Sequence, residues 1–264
     1  MSEPTTIRKE RDGSVARIIL AREDVRNAFD ETMIAELHAA FRELHSMRDA
    51  VRVVIVEADG PVFCAGADLN WMKRCAAFTP EENLADSLEL ANLIQTLNEL
   101  PQPTICRVQG PALGGGVGVI SACDIVVAAQ TAYFALSEVR LGLAPAVISP
   151  YVIQRIGPAA AREYFLTGER FSASRAHELG LVNRLVPPEL LDGAVQDIVK
   201  SLLQCGPRAQ EAVKDLIRTA PGLKNDELKG YTAKVIADLR AGDEGKEGVG
   251  AFLERRAPSW KEEV

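Results

Sequence analysis

The sequence predicts an α/β protein with a mostly parallel sheet and a C-terminal helical region. Short apolar runs alternate with longer segments of helical spacing up to about residue 186, a pattern typical of right-handed crossover units. From about Pro187 the pattern is helical and contains no strand candidate. We therefore divide the chain into a core, residues 1–186, and a helical appendage, residues 187–264.

The first half of the core alternates strands with helices. Val15–Leu20 and the nearly continuous β-branched run Val51–Val56 are strand candidates. Between them a segment of helical spacing reaches about Arg48, and Asp30 is its predicted N-cap. A second helix is predicted over Pro80–Leu100, with apolar positions that include Leu84, Leu88, Leu93 and Leu97.

The second half of the core places a glycine-rich turn and a helix between two strands. Pro103–Val108 and Asp124–Ala128 are the strand candidates, and Tyr133–Leu136 predicts a further short strand. The C-terminal region predicts four helices, over Glu189–Gln204, Ala209–Thr219, Asp226–Leu239 and Glu244–Arg255.

Composition limits the classes of function. Of 264 residues, 47% are apolar and 25% are charged, as in ordinary globular proteins. The net charge of −7 argues against binding to nucleic acid phosphates, and no apolar run approaches the length of a membrane span. The five cysteines show neither a pairing pattern nor metal-ligand spacing, and the N-terminus lacks an apolar signal core. We therefore expect a cytoplasmic protein with reduced thiols and no metal, nucleic acid or membrane partner.

Two turns that follow strands are candidates for an anion-stabilising site. Gln109–Gly118, QGPALGGGVG, leads from a strand into a helix, where backbone N–H groups are unpaired and the dipole favours negative charge. Phe63–Asp68, FCAGAD, follows the strand upstream. Together the turns are able to aim two N–H groups at one carbonyl oxygen and so stabilise an enolate or oxyanion. The alternative is that the glycines only permit tight packing of helix on strand.

Five motifs occur in an order that resembles the crotonase (enoyl-CoA hydratase/isomerase) superfamily, over about residues 5 to 260: FCAGADL, GPALGGG, ACDIVVAA, SEVRLGLAP and LTGERFSASRAHELGLVNRLV. The resemblance implies a ClpP/crotonase-like ββα spiral core, with C-terminal helices that build a homotrimer or a dimer of trimers. ADLNWM together with SEVRLGLAPAVISPYV most resembles bacterial 3-methylglutaconyl-CoA hydratases and the related carboxygeranoyl-type hydratases.

The resemblance also implies the catalytic groups. The N–H groups of Ala67 and Gly115 would bind the thioester oxygen, and Glu138 would be the general acid/base. A carboxyl group among the apolar side chains that surround Glu138 in the sequence would have its pKa raised by desolvation. The alternative is a surface glutamate or a partner for Arg140.

A second glutamate of typical hydratases is replaced here by Gly118. With Glu138 alone, one group does both proton transfers, or the reaction is an isomerisation, which moves one proton between two carbons. We expect Gly118 to leave room beside carbon 3 for a branched or carboxylated acyl group. If the segment is extended, Arg140 shares a face with Glu138 and is the first candidate to bind a substrate carboxylate. Lys73 and Arg74 are the next candidates.

The coenzyme A part of the substrate has its own predicted contacts, and no separate cofactor is expected. Arg22 or Arg26 is suited to the nucleotide phosphates through charge-assisted hydrogen bonds. The resemblance implies contacts with coenzyme A from the segment around these arginines, from the first turn and from the residue after it. The residues are Arg26, Asn27, Cys64, Ala65, Asp68 and Leu69. Asp68 is also a candidate helix N-cap, an interpretation that we favour over catalysis.

These observations predict an acyl-CoA hydratase/dehydratase acting between 3-methylglutaconyl-CoA and 3-hydroxy-3-methylglutaryl-CoA. The nearest rival is a Δ3,Δ2-enoyl-CoA isomerase, to which one glutamate is well suited. A third hypothesis, a non-catalytic RNA-binding protein, is disfavoured because the helix predicted over Asp30–Arg48 has no lysine and is rich in glutamate.

Overall fold

The computed structural model describes residues 5–262, which form nine strands and ten α-helices within that range. The strands, in chain order, are β1 (Ile7–Asp12), β2 (Val15–Leu20), β3 (Val53–Ala58), β4 (Thr104–Val108), β5 (Ala112–Leu113), β6 (Ile125–Ala129), β7 (Tyr133–Ala135), β8 (Arg170–Ser172) and β9 (Arg184–Val186). The helices are α1 (Glu31–Ser46), α2 (Leu69–Cys75), α3 (Pro80–Asn98), α4 (Gly115–Ala122), α5 (Ser149–Thr167), α6 (Ala173–Glu178), α7 (Leu191–Leu203), α8 (Pro207–Thr219), α9 (Asn225–Ala241) and α10 (Asp243–Glu254).

The main layer is a six-stranded sheet in the order β1-β2-β3-β4-β6-β9. Only the β1–β2 hairpin is antiparallel in this sheet, so the prediction of a mostly parallel α/β architecture is confirmed. β5, β7 and β8 form a small second sheet, in which β5 and β7 are parallel. The short strands β5 and β7 carry the chain into the glycine-rich helix and into the loop of Glu138.

Apolar side chains are buried on both faces of the main sheet. On β3, Val54 and Val56 belong to the larger core cluster, whereas Val53 and Ile55 belong to a second cluster on the opposite face. This explains the nearly continuous β-branched run, because a central parallel strand is covered on both sides. Helices α1, α3, α4 and α5 cover the first face. Helix α7 covers the second with five buried residues: Leu191, Val195, Ile198, Val199 and Leu203.

The four predicted C-terminal helices are present but differ in their packing. Because α7 packs on the sheet, the division at residue 187 falls before a helix that is part of the core. Helices α8 and α9 bury no residue, and α10 buries only Ala251. No helix within residues 5–262 has the length and apolar character to cross a membrane.

Several elements differ from the sequence prediction. The charged segment IRKERD forms the edge strand β1 and buries only Ile7, which suits an edge that must resist pairing with other chains. Helix α3 buries its second half through Leu93 and Leu97, but Leu84 and Leu88, predicted on its apolar face, are exposed. Helix α5, which was not predicted, is kinked where Gly157 precedes Pro158.

Candidate active site

The first predicted turn holds Ala67 in a fixed orientation. The N–H of Phe29 donates to Gly66 O at 2.8 Å, and the N–H of Asp68 donates to Phe29 O at 2.8 Å. Phe29 and Ala67 thus form a parallel bridge, in which Phe29 bonds the residues before and after Ala67. The N–H of Ala67 itself therefore points away from Phe29. Ala67 is exposed, and its N–H has no acceptor among residues 5–262.

The second predicted turn is joined directly to the first. Cys64 O accepts from the N–H of Leu113 at 2.9 Å, and Gly114 N–H donates to Ala135 O of β7 at 3.0 Å. Gly114 has a φ of +51°, a conformation that favours glycine, and it places Gly115 as the first residue of α4. The N–H of Gly115 has no acceptor in the part of the chain that the structure describes, as is usual for a first helical turn.

Glu138 lies beside both turns. It begins a short 3₁₀ segment, Glu138–Leu141, just after β7. A Cβ atom placed on Gly114 would lie 3.2 Å from Oε1 of Glu138 and 3.8 Å from the Cα of Gly66. Oε2 of Glu138 is buried and has no hydrogen-bond partner within residues 5–262. Burial raises the pKa of the Glu138 carboxyl, opposed by a hydrogen bond from its own backbone.

This arrangement combines two kinds of chemistry in one place. The two N–H groups are suited to an oxygen that gains negative charge, because preorganised backbone donors need no rearrangement during the reaction. A carboxyl group with a raised pKa is better suited than an ordinary carboxyl group to give a proton as well as to take one. The residues predicted as catalytic, Ala67, Gly115 and Glu138, are therefore close to one another in the fold.

Comparison with known protein families identifies one match over nearly the whole chain. The sequence model of the family described as Enoyl-CoA hydratase/isomerase matches residues 10–263. The chain belongs to this family. A Thermus thermophilus protein assigned to the enoyl-CoA hydratases is 33% identical to this chain over 246 residues. The matched residues cover 93% of this chain and 97% of the relative.

Solved structures of family members share the same fold. An enoyl-CoA hydratase from Shewanella pealeana is 41% identical, with a TM-score of 0.95 over 98% of this chain and 97% of its own. An enoyl-CoA hydratase/isomerase from Marinobacter aquaeolei is 31% identical, with a TM-score of 0.92 over 97% and 99% of the two chains. The predicted crotonase fold is thus confirmed, and the chain is an enzyme of the enoyl-CoA hydratase type.

The two candidate arginines for coenzyme A have different surroundings. Arg22 donates to Ala28 O at 2.7 Å and forms ion pairs with Asp30 at 2.9 Å and Asp68 at 3.1 Å, so its guanidinium is already engaged. Arg26 is exposed, and its carbonyl accepts from the N–H of Ala65 at 3.0 Å. Of the two, Arg26 has the guanidinium that is available to a ligand beside the first turn.

The side chain of Asn27, a residue predicted to contact coenzyme A, is buried and links its own loop to the segment after β3. It is 0% exposed. Its side-chain amide donates to Asp59 O at 2.8 Å and to Val62 O at 2.9 Å, and its oxygen accepts from Arg22 N–H at 2.9 Å. The hydrogen bonds engage the side-chain amide within the chain, and a contact between Asn27 and coenzyme A stays a prediction.

The remaining predicted contacts divide into buried and exposed positions. Cys64 is buried, and burial raises the pKa of its thiol to about 12, which disfavours the thiolate form that a nucleophile needs. Asp68 is the N-cap of α2, and although burial opposes the shift, hydrogen bonds from Trp71 and Asn70 N–H and from Arg22 lower its pKa. Ala65 is half-buried, whereas Leu69 is 73% exposed. All five cysteines are free thiols, as expected.

The predicted room at Gly118 is not present. A Cβ atom at this position would overlap Cγ2 of Ile148 and would lie 2.9 Å from its Cβ. Ile148 therefore fills the space that the missing side chain leaves, and the prediction of an open space beside carbon 3 is wrong. Ile148 was not identified from the sequence, because it is 30 positions away and no local pattern pairs it with Gly118.

The prediction that Arg140 shares a face with Glu138 is also wrong. It assumed an extended segment, but Glu138–Leu141 is a 3₁₀ turn, in which residues two apart point in different directions. Arg140 is exposed, and its guanidinium reaches Thr167 O at 3.5 Å. Arg74 is bound to Glu31 at 2.6 Å, whereas Lys73 is exposed on α2.

Phe29 is a residue of the candidate site that was not predicted from the sequence. Its backbone orients Ala67, and its ring lies 3.1 Å from the point where a Cβ on Gly115 would be. One residue thus supports both N–H donors. The apolar position after Asn27 gave no signal of this double role, since an isolated aromatic residue is more often part of the core.

Proposed function

We propose that this chain catalyses the reversible hydration of a 2-enoyl-CoA thioester, with Glu138 as its single acid/base group. The observation that carries this proposal is the position of a buried, unpaired carboxyl oxygen beside two turns whose N–H groups have no acceptor within residues 5–262. Family membership supports it.

In this proposal the thioester oxygen accepts from the N–H groups of Ala67 and Gly115. Charge that develops on the oxygen during the reaction is stabilised there. Glu138, as a carboxylate, takes a proton from water while the hydroxyl adds to carbon 3, and then gives that proton to carbon 2. The reverse sequence removes water, so the carboxyl returns to its starting state in either direction.

Coenzyme A enters as part of the substrate, and we propose no separate cofactor. The exposed guanidinium of Arg26 would bind its phosphates, with the backbone of Ala65 and the side chain of Leu69 bordering the entrance. Arg22, Asn27 and Asp68 would hold the loops that position these groups.

For the acyl group we propose 3-methylglutaconyl-CoA, on the resemblance of ADLNWM and SEVRLGLAPAVISPYV alone. Two structural supports expected for it, room at Gly118 and Arg140 beside Glu138, are not found within residues 5–262. Among the three predicted cations, Lys73 remains the candidate for a substrate carboxylate, since Arg74 is paired and Arg140 faces Thr167.

A Δ3,Δ2-enoyl-CoA isomerase is the second candidate. The observation that favours it is the apolar contact of Ile148 with Gly118, which places no acid/base group at the position of the second hydratase carboxylate. An isomerase needs only one carboxyl group, which removes a proton from carbon 2 and returns it to carbon 4.

Turnover of three thioesters separates these candidates. Crotonyl-CoA, 3-methylglutaconyl-CoA and a 3-enoyl-CoA would be followed by absorbance and mass spectrometry with the wild type and Glu138→Gln. We expect the wild type to form a product that is heavier by one water. In Glu138→Gln the rate of this hydration should fall by at least about 10²-fold. Double-bond migration without a mass gain identifies the isomerase. Unchanged turnover in Glu138→Gln overturns the role of Glu138.

We also propose that the enzyme assembles as a homotrimer or a dimer of trimers in the cytoplasm. Large apolar side chains are exposed along the three C-terminal helices α8, α9 and α10, where no other part of residues 5–262 covers them: Val213, Ile217, Ile236, Val249, Phe252 and Leu253. A face of this kind on helices that bury almost nothing supports self-association.

A further inference from the structure

Gly118 and Ile148 are fitted to each other. Gly118 lies inside α4 with a φ outside the left-handed region, so its backbone conformation does not require glycine. Glycine inside a helix is less favourable than alanine. The contact explains the residue, because any Cβ at position 118 would overlap Ile148 and would also come within 3.7 Å of Cδ1 of Ile94.

Ile148 is held in place and is not able to turn away. It is 3% exposed and immediately precedes α5, where its carbonyl accepts from the N–H of Val152 at 3.1 Å. The next residue, Ser149, donates through its hydroxyl to Ala146 O at 2.8 Å and fixes the start of the helix. A β-branched side chain on such a backbone has little rotamer freedom.

Ile148 and the Glu138 carboxyl both approach the first turn of α4. Glu138 approaches the helix at Gly114, and the N–H of Gly118 donates to Gly114 O at 3.3 Å, one turn later. In the proposed function, a thioester whose oxygen is bound at Gly115 would have carbon 2 beside Glu138, and carbon 3 is one bond further on. Ile148 is the side chain that meets α4 one turn beyond Glu138.

We propose that Ile148 is a specificity-determining residue. Its side chain takes the position of a second acid/base group and sets how much substitution at carbon 3 of the acyl chain the pocket admits. This inference rests on the proposed function, namely that the ligand is an acyl-CoA thioester whose oxygen is bound at Gly115 with carbon 2 beside Glu138.

The test compares the binding of two saturated thioesters, which do not react. Isothermal titration would give the Kd values of butyryl-CoA and 3-methylbutyryl-CoA for the wild type, Ile148→Ala and Ile156→Ala. Ile156 is a matched control because it lies on α5, the helix that Ile148 precedes, and is 6% exposed. We expect Ile148→Ala to shift the ratio of the two Kd values toward 3-methylbutyryl-CoA on the order of tenfold. Ile156→Ala should leave the ratio within about twofold.

A ratio that Ile148→Ala does not shift, or that Ile156→Ala shifts equally, overturns the inference. If Ile148→Ala does not fold, Ile148→Val removes one methyl group and should produce a smaller shift in the same direction. Turnover of crotonyl-CoA by the wild type is measured in parallel. A shifted ratio without turnover overturns the proposed reaction and leaves the specificity role standing. Failure of both thioesters to bind overturns the two proposals together.

Discussion

The Glu138 carboxyl is held near apolar surroundings, with one oxygen buried and without a partner among residues 5–262. Burial raises its pKa above the ordinary value of 4.5. The folded state therefore binds more protons than the unfolded state between these two pKa values. The stability that protonated Glu138 contributes is complete below pH 4.5 and is lost as pH rises through the raised pKa.

We therefore expect Glu138→Gln to be as stable as the wild type at pH 4 and more stable at pH 8, because a neutral amide carries no desolvation cost of charge. Thermal unfolding across this pH range measures the difference. Glu169→Gln is the control, since Glu169 is exposed and its replacement should give a difference that does not grow with pH. A Glu138→Gln curve parallel to that of the wild type contradicts the burial of this carboxyl.

At the same scale, the sequence predicts which residue types meet at the site better than it predicts how they point. Gly115 and Glu138 come together because they follow β5 and β7, which are paired parallel strands of the small sheet. The turn of Ala67 joins them through an isolated bridge between Cys64 and Ala112 of β5. The direction of Arg140 depends on whether four residues are extended or form a 3₁₀ turn, a choice that local pattern does not decide. The contact between Gly118 and Ile148 joins distant positions, so packing alone reveals it.

The start of α4 is the element on which oxygen binding depends. Gly115 is its first residue, a position where proline is accepted because the first N–H has no helical partner. Gly115→Pro would therefore remove the donor and leave the helix in place. Gly115→Ala adds a similar Cβ close to the ring of Phe29 but keeps the N–H.

We expect kcat for the proposed hydration to fall about 10²–10³-fold in Gly115→Pro relative to Gly115→Ala, the loss typical of one oxyanion donor. Circular dichroism of both variants checks that the fold is retained. Equal kcat values for the two variants would show that this N–H does not bind the thioester oxygen, and that only the added bulk matters.

Elements with strong internal signals were predicted to within a few residues. Helix α1 begins after Asp30, whose side chain accepts from the N–H of Met33, and β3 has the predicted apolar run. Helix α2 was anticipated only through its cap, Asp68, because seven residues are too few to show a helical period. The edge strand β1 was missed because its charged residues face solvent on both sides, and the pairing with β2 decides its structure.

For the whole molecule, the two core clusters account for the helices up to α7 but leave the last three without a buried face. These helices hold their positions through polar contacts instead. Glu244 accepts from the N–H groups of Arg208 and Ala209 at 2.9 and 2.8 Å, and Lys214 binds Asp124 at 2.6 Å. Polar anchoring leaves their apolar side chains available to another copy of the chain.

On α10, Val249, Phe252 and Leu253 lie on one face, and Phe252 and Leu253 are 80% and 74% exposed. We expect Phe252→Asp to dissociate the proposed trimer, because each interface would then bury an unpaired carboxylate in place of an aromatic ring. Sedimentation velocity would show a mass near that of one chain, 28.6 kDa, for the variant. For the wild type it would show the mass of three or six chains. Leu190→Asp, at an exposed leucine before α7, should retain the wild-type mass. A wild type that sediments as a monomer, or equal dissociation by both variants, would show that this face is not where the copies meet.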